Sequence, residues 1–254
     1  MDNNHSPAKR IVTFPEQPLT PTKLRPDPQI LIFDVDGVLV DVRGTYWRSA
    51  IETVRYLSGR RVTYKQLHEW KSRPGYNDDW RMTAAWATRL GRPTTYEQAR
   101  AAFNRFYWGT RGKPGNVRHE KLIVTPRQIE RWALRYELNI FTGRTRREFG
   151  YTFRRWPATP HFRTVVTMDD VVRRKPHPDG LLKILGRRDP AQALYLGDNV
   201  DDALAARAAG VPFLAVLPRS AHTYRERAAQ FRELGALALL HRTTELTRWL
   251  PSSR

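Results

Sequence analysis

The chain has 254 residues, 40% of them hydrophobic, with eight Trp and ten Tyr, enough for one well-cored domain carrying a large insertion or for two small ones. The absence of cysteine excludes disulfides, thiolate nucleophiles and cysteine-ligated zinc, so any metal must sit on oxygen or imidazole. The formal net charge is +19: of 44 basic residues 8 are lysine, which leaves 36 arginines. These are scattered along the chain, with no helix-turn-helix or aromatic-interleaved pattern. Compositional bias therefore explains them better than a dedicated nucleic-acid surface, although the field they create favours an anionic ligand.

Residues 1 to 28 are polar and Pro-rich and read as a flexible N-terminal arm. They lack the apolar stretch of a secretory signal, and no run in the chain approaches the roughly 20 apolar residues that span a bilayer, so the expected compartment is the cytoplasm and no membrane partner is expected. "QILIFDVDG", from Gln29, is a continuous apolar run closed by Gly and predicts a buried strand. Between about 44 and 110 the texture changes to helical spacing in "GTYWRSAIETVRYLSG", "TYKQLHEWK", "DWRMTAAWATRLG" and "TTYEQARAAFNRFYWG", with no convincing strand. "TRGKPGNVRHE" reads as a linker.

From Ile123 helices and strands alternate. A helix in "PRQIERWALRY" precedes the strand "ELNIFTG", the helix "TRREFGYTFRRW" and the strand "TVVTMDD". The helix "PDGLLKILG", the strand "ALYLGD", the helix "DDALAARAAG" and the strand "FLAVL" follow, then the helix "AHTYRERAAQFREL", the segment "ALALLHR" and a short terminal helix. Such alternation predicts an α/β fold: an open, parallel Rossmann-like sheet flanked by helices, with an all-helical cap inserted after the first strand. The expected division is a core of residues 29–41 and 113–254 and a cap of residues 42–112. Whether the residues after Leu217 add an edge strand or only pack on the sheet is left open.

In an open parallel sheet, functional groups gather beyond the carboxyl ends of the strands. Asp34, Asp36 and Asp41 follow the first strand, Thr142 ends "IFTGR", Lys175 follows "VVTMDD", and Asp198 and Asp202 lie in "LGDNVDD". Crowded carboxylates raise one another's pKa unless a cation lies among them. Acids facing a hard divalent ion, with a hydroxyl and an ammonium opposite, are the components that hold and transfer a phosphoryl group.

"DVDGVLVD", "FTGR", "RRKPHPDG" and "GDNVDDALAARAAG" together resemble, in order, the four motifs of the haloacid dehalogenase-like hydrolase superfamily, in the subfamily IA-like branch whose helical cap lies between motifs one and two. The resemblance covers residues 29 to about 218. It implies Asp34 as the nucleophile that forms an aspartyl phosphate, and Asp36 as the acid and base that serves the leaving alcohol and then water. Members that displace halide lack this second Asp, so dehalogenation is disfavoured. Thr142 and Lys175 complete the implied catalytic set. Gly37, Thr142, Gly143 and Lys175 would bind phosphate, and Asp34, Asp36 (through its backbone carbonyl), Asp198 and Asp202 would form the Mg2+ site, with Asp202 orienting a metal-bound water or Lys175. Asp201 is an ambiguous neighbour, Asn199 can cap the helix, and Gly210 stops it. Arg173 and Arg174 read as solvated surface.

The resemblance implies a Mg2+-dependent phosphatase acting on a small phosphorylated metabolite. The alternatives are a sugar phosphomutase on the same core and a nucleic-acid-associated phosphatase or binding protein. "GYNDDW" also resembles a branch whose members sometimes bear an imidazoleglycerol-phosphate dehydratase label. That activity relies on His-rich metal motifs, whereas the seven histidines here are dispersed, and it is rejected. In the loop "KSRPGYNDDW", Arg73, Tyr76 and Asn77 are candidate substrate readers; a helix-connecting turn with Trp80 in the cap core is the alternative.

Overall fold

A computed structural model describes residues 27–221 and 223–251. Most of the expected N-terminal arm lies outside the described residues. In chain order the strands and helices are β1 (Ile30–Phe33), β2 (Val40–Asp41), α1 (Arg48–Ser58), α2 (Tyr64–Lys71), α3 (Asp79–Arg89), α4 (Tyr96–Tyr107), β3 (Gly109–Thr110), β4 (Lys113–Pro114) and β5 (Lys121–Leu122). Then come α5 (Pro126–Ala133), β6 (Glu137–Phe141), α6 (Arg146–Phe153), β7 (Phe162–Val166), α7 (Asp179–Leu185), β8 (Ala193–Gly197), α8 (Val200–Ala209), β9 (Phe213–Val216), α9 (Tyr224–Glu233) and β10 (Ala238–Leu240).

Six strands form one parallel sheet in the order β10-β9-β8-β1-β6-β7. From β1 the chain runs outward through β6 to β7, then returns to the other side of β1 for β8, β9 and β10. This reversal opens a crevice beyond the carboxyl ends of β1 and β8, where ligands bind in open α/β sheets. The register aligns the three central strands, since Phe33 of β1 lies opposite both Ile140 and Leu196. β10 is an edge strand, which settles the role of the segment after Leu217.

Alternation along each strand feeds two apolar layers. Leu31, Phe33, Leu138, Ile140, Leu194 and Leu196 face one layer, and Ile32, Phe141, Tyr195, Phe213 and Ala215 the other. Both faces are covered because the strands are apolar on both sides, as a buried parallel sheet requires. Local signals set the helix ends. Thr63 with Gln66, Thr95 with Gln98 and Thr145 with Glu148 form capping boxes at α2, α4 and α6, and Gly210 ends α8 at a φ of 69°.

Helices α1 to α4 lie between β2 and β5 and enclose their own core, in which Tyr46, Trp70, Trp80, Trp86, Phe103 and Tyr107 are buried. β2 and β5 pair antiparallel as the stem of this insert. The stretch from 44 to 110 was expected to hold no strand, yet Gly109–Thr110 pairs with Lys113–Pro114 inside what reads as a linker. The reason is two glycines: Gly109, with a φ of 85°, turns the chain out of α4, and Gly112, with a φ of 79°, lies in the two-residue turn between the strands.

Phe33 is fully buried, stacked on Trp132 at 5.5 Å and edge-on to Phe162 at 6.2 Å. Phe33→Ala is expected to lower unfolding stability by about 3 to 5 kcal/mol, measured by urea denaturation.

Candidate active site

Asp34 follows β1 directly and is 4% exposed, its N–H donating to the Leu196 carbonyl of β8 at 2.8 Å. Lys175 reaches it from the loop after β7. Its ammonium donates to Asp34 Oδ1 at 2.8 Å and to the Phe141 carbonyl at 3.0 Å, and pairs with Asp202 Oδ1 at 2.7 Å. Burial works against this ammonium, but Asp202 and Asp34 outweigh it and hold its pKa above the usual lysine value. Burial pushes the Asp34 carboxyl well up, against the pull of Lys175 and with the repulsion of Asp202, Asp36 and Asp198.

One oxygen each from Asp34, Asp198 and Asp202 lies within 4.8 Å of the other two, the one such group of candidate metal ligands among the described residues. It contains no histidine. Both oxygens of Asp202 already have protein donors: Oδ1 takes the Tyr195 hydroxyl at 2.7 Å and Lys175, and Oδ2 takes the N–H groups of Asp198 and Asn199 at 3.1 and 3.0 Å. Of the two roles expected for Asp202, these bonds favour orienting Lys175. Burial pushes Asp198 up to about 7, with Arg227 opposing and Asp202 and Asp36 adding repulsion. A divalent cation between Asp34 and Asp198 would relieve this crowding, and hard carboxylate oxygens suit Mg2+.

Gly37 fits this arrangement by lacking a side chain. Its φ is 77°, and a Cβ there would lie 2.2 Å from Asp198 Oδ2. Its N–H donates to the Val40 carbonyl at 2.8 Å, so it contributes the turn and the room for Asp198 rather than the expected amide for phosphate. Thr142, 1% exposed, ends β6, and its hydroxyl accepts the Arg144 N–H at 3.1 Å. Gly143 lies against Asn77 of the insert, whose amide nitrogen is 3.4 Å from where a Cβ would be.

Three residues to which the sequence reading gave no definite role shape the site. Arg144, 1% exposed, places Nε and Nη2 on Asp36 Oδ1 at 3.0 and 2.7 Å. Its Nη1 meets the Thr152 hydroxyl at 3.0 Å, its Nη2 pairs with Glu120 at 3.0 Å, and its guanidinium lies 5.1 Å over the Tyr46 ring. Asp36 is thereby drawn toward Arg144. Asp201, 1% exposed, accepts the N–H groups of Gly75 and Asn77 at 2.8 and 3.2 Å, which fastens the loop of the insert onto the start of α8. Lys71 pairs with Asp79 at 2.7 Å in the wall of the cavity that holds Asp34 and Asp36. Arg144 had a sequence signal in its place directly after the Thr142–Gly143 pair, and Asp201 in its place beside Asp202, where its role was left ambiguous.

The expected substrate readers separate. Asn77 lines the cavity. Arg73 and Tyr76 do not, because the Trp70 indole holds both: the Arg73 guanidinium lies 4.5 Å over it and the Tyr76 ring meets it edge-on at 5.1 Å. Trp80 is in the core of the insert and also reaches the cavity wall. Arg173 and Arg174 are exposed as expected, but Arg174 also ties Asp78 and Tyr96 of the insert, each at 3.1 Å.

A family model described as haloacid dehalogenase-like hydrolase matches residues 129–216. A relative from Phytophthora nicotianae named imidazoleglycerol-phosphate dehydratase is 29% identical over 199 residues, 74% of this chain and 43% of that protein. Phosphoglycolate phosphatase of Escherichia coli (strain K12) is 46% identical over 54 residues, 20% of this chain and 21% of that one. The chain thus spans less than half the length of either relative. Among solved structures, a candidate phosphoglycolate phosphatase from Lactobacillus plantarum superposes with a TM-score of 0.69 at 20% identity, over 88% of this chain and 100% of that one, a likeness of fold.

Residues 129–216 are thus similar to a haloacid dehalogenase-like hydrolase, and the likeness to the solved structure is one of fold, with the helical insert between β2 and β5. The dehydratase name belongs to a protein more than twice the matched length, and the acid cluster here offers no histidine.

Arg144→Met removes a buried partner of both Asp36 and Glu120. The expected loss is about 3 to 5 kcal/mol of unfolding stability, read by denaturant titration. Asp201→Asn keeps one acceptor oxygen and turns an amide donor toward one of the two N–H groups. Amide exchange at Gly75 and Asn77 should speed up while the global melting midpoint moves little.

Proposed function

We propose that the chain hydrolyses a small phosphomonoester through an aspartyl phosphate on Asp34, with Mg2+ as cofactor. The observation that supports this most is the Lys175 ammonium bonded to both Asp34 and Asp202, beside Asp198 and at the switch point of the sheet. An Asp34 oxygen attacks phosphorus and forms the acyl phosphate as the ester P–O bond breaks. Asp36 gives the leaving alkoxide a proton, then takes one from the water that attacks phosphorus and frees Asp34. Lys175 and Thr142 hold the phosphoryl oxygens, and Asp34, Asp198 and the Asp36 carbonyl would hold the metal. When bound, the metal supplies positive charge that offsets the charge of phosphate and carboxylates. The helical insert acts as a cap that keeps bulk water out, with Asn77 at its inner face.

The test is phosphate release from a panel of phosphorylated metabolites with and without Mg2+. Asp34→Asn should abolish release while the protein stays folded. Asp36→Asn should lower kcat by about 10^2 to 10^4. Arg144→Lys, which keeps the charge but loses the two-pronged grip on Asp36, should lower kcat by about tenfold and leave KM nearly unchanged. An isomerised sugar phosphate formed only with a sugar bisphosphate present would mark a phosphomutase instead. Phosphate release by Asp34→Asn equal to that of the unaltered chain would rule out the covalent route.

A further inference from the structure

The cavity that contains Asp34 and Asp36 is small, about 60 Å3, and holds little beyond a phosphoryl group. Beside it lies a second cavity of about 550 Å3 between the insert and the core. Val42, Trp47, His68, Asp198 and Arg227 line both, so the two meet at Asp198 and Arg227. A leaving group too large for the first has a path into the second along Arg227.

Arg227, on α9, is 6% exposed. Its Nη2 donates to the Asp198 carbonyl, and its Nε is buried without a hydrogen-bond partner. The other two arginines in the wall of the large cavity have acids of their own: Arg43 pairs with Asp41 at 2.6 Å and Arg242 with Glu245 at 3.5 Å. Arg227 has no carboxylate within ion-pair distance among the described residues, although Asp198 and Asp202 act on its charge from further away. A buried guanidinium with so few partners is unfavourable unless an anion completes it.

We propose that the large cavity is a second anion subsite centred on Arg227, and that the substrate is a phosphomonoester whose leaving group carries another anionic group, a carboxylate or a second phosphate. The proposal rests on Asp34 as the phosphoryl acceptor, which fixes the end of the substrate that lies in the small cavity. A guanidinium bonds either oxyanion through charge-assisted hydrogen bonds, and a neutral chain end offers it nothing.

The test measures binding rather than turnover. Asp34→Asn, which cannot be phosphorylated, is titrated calorimetrically with alkyl phosphates of three and six carbons whose far end is methyl, carboxylate or phosphate. The expected result is that the carboxylate or the phosphate series binds at least about tenfold tighter than the methyl series, and which of them does so identifies the second anion. Adding Arg227→Met should remove most of that advantage and Arg227→Lys should keep part of it. If Arg227→Met unfolds, the Lys variant carries the comparison. Equal affinity across the three series, or an equal loss for all of them in Arg227→Met, overturns the proposal and leaves Arg227 as a support for the Asp198 carbonyl. Failure of the phosphatase reading is separate: the unaltered chain would release no phosphate although the binding preference persists.

Discussion

The ammonium of Lys175 is the contact on which the rest of the site depends. Two carboxylates about 4 Å apart repel by about 4 kcal/mol at the effective dielectric of a protein surface, and here three crowd within 4.8 Å at the end of a buried sheet. Lys175 lies between two of them and also bonds the Phe141 carbonyl, so its charge draws together groups at the ends of β1 and β6 and in α8, which follows β8. The matched register of those strands makes this possible, because it brings their last residues to one level. Asp202 is in turn held by Tyr195 and two backbone amides, which fixes the far side of the ammonium.

The strand ends were legible in the sequence because burial on both faces leaves continuous apolar runs, and a polar residue that closes such a run has one place to go. Asp34, Thr142 and Asp198 were found in this way, and the order of the motifs supplied Lys175. Arg144 and Asp201 were harder to see, because their roles depend on partners 108 and up to 126 residues away and on which way each side chain turns. Arg73 and Tyr76 show the opposite failure. Both look like binding residues in a polar loop, yet one indole, Trp70, offers each of them a better contact than the cavity does. Gly109 and Gly112 had the same effect on the linker, where two positive φ angles turned an expected coil into a short ribbon.

The strong positive charge of the chain is partly answered by local pairing. Arg43, Arg146, Arg163, Arg173 and Arg188 each meet a nearby acid, mostly at exposed positions where a pair contributes about 0 to 1 kcal/mol. Such pairs neutralise part of the charge at the surface. Inside, the arrangement is reversed: carboxylates dominate the crevice beyond the strand ends, and the buried cations Lys175, Arg144 and Arg227 each meet a different part of it.

The stem formed by β2 and β5 brings the two chain ends of the helical insert side by side, with Asp41 opposite Lys121. Paired antiparallel positions lie about 5 Å apart, a gap that a few Gly and Ser residues can bridge. The insert is thus a module whose two chain ends meet at one seam, open to excision or exchange without rethreading the six-stranded sheet. Whatever replaces it must still offer amide donors to Asp201, since that carboxylate is buried on the core side of the seam and would otherwise be left without its two backbone partners.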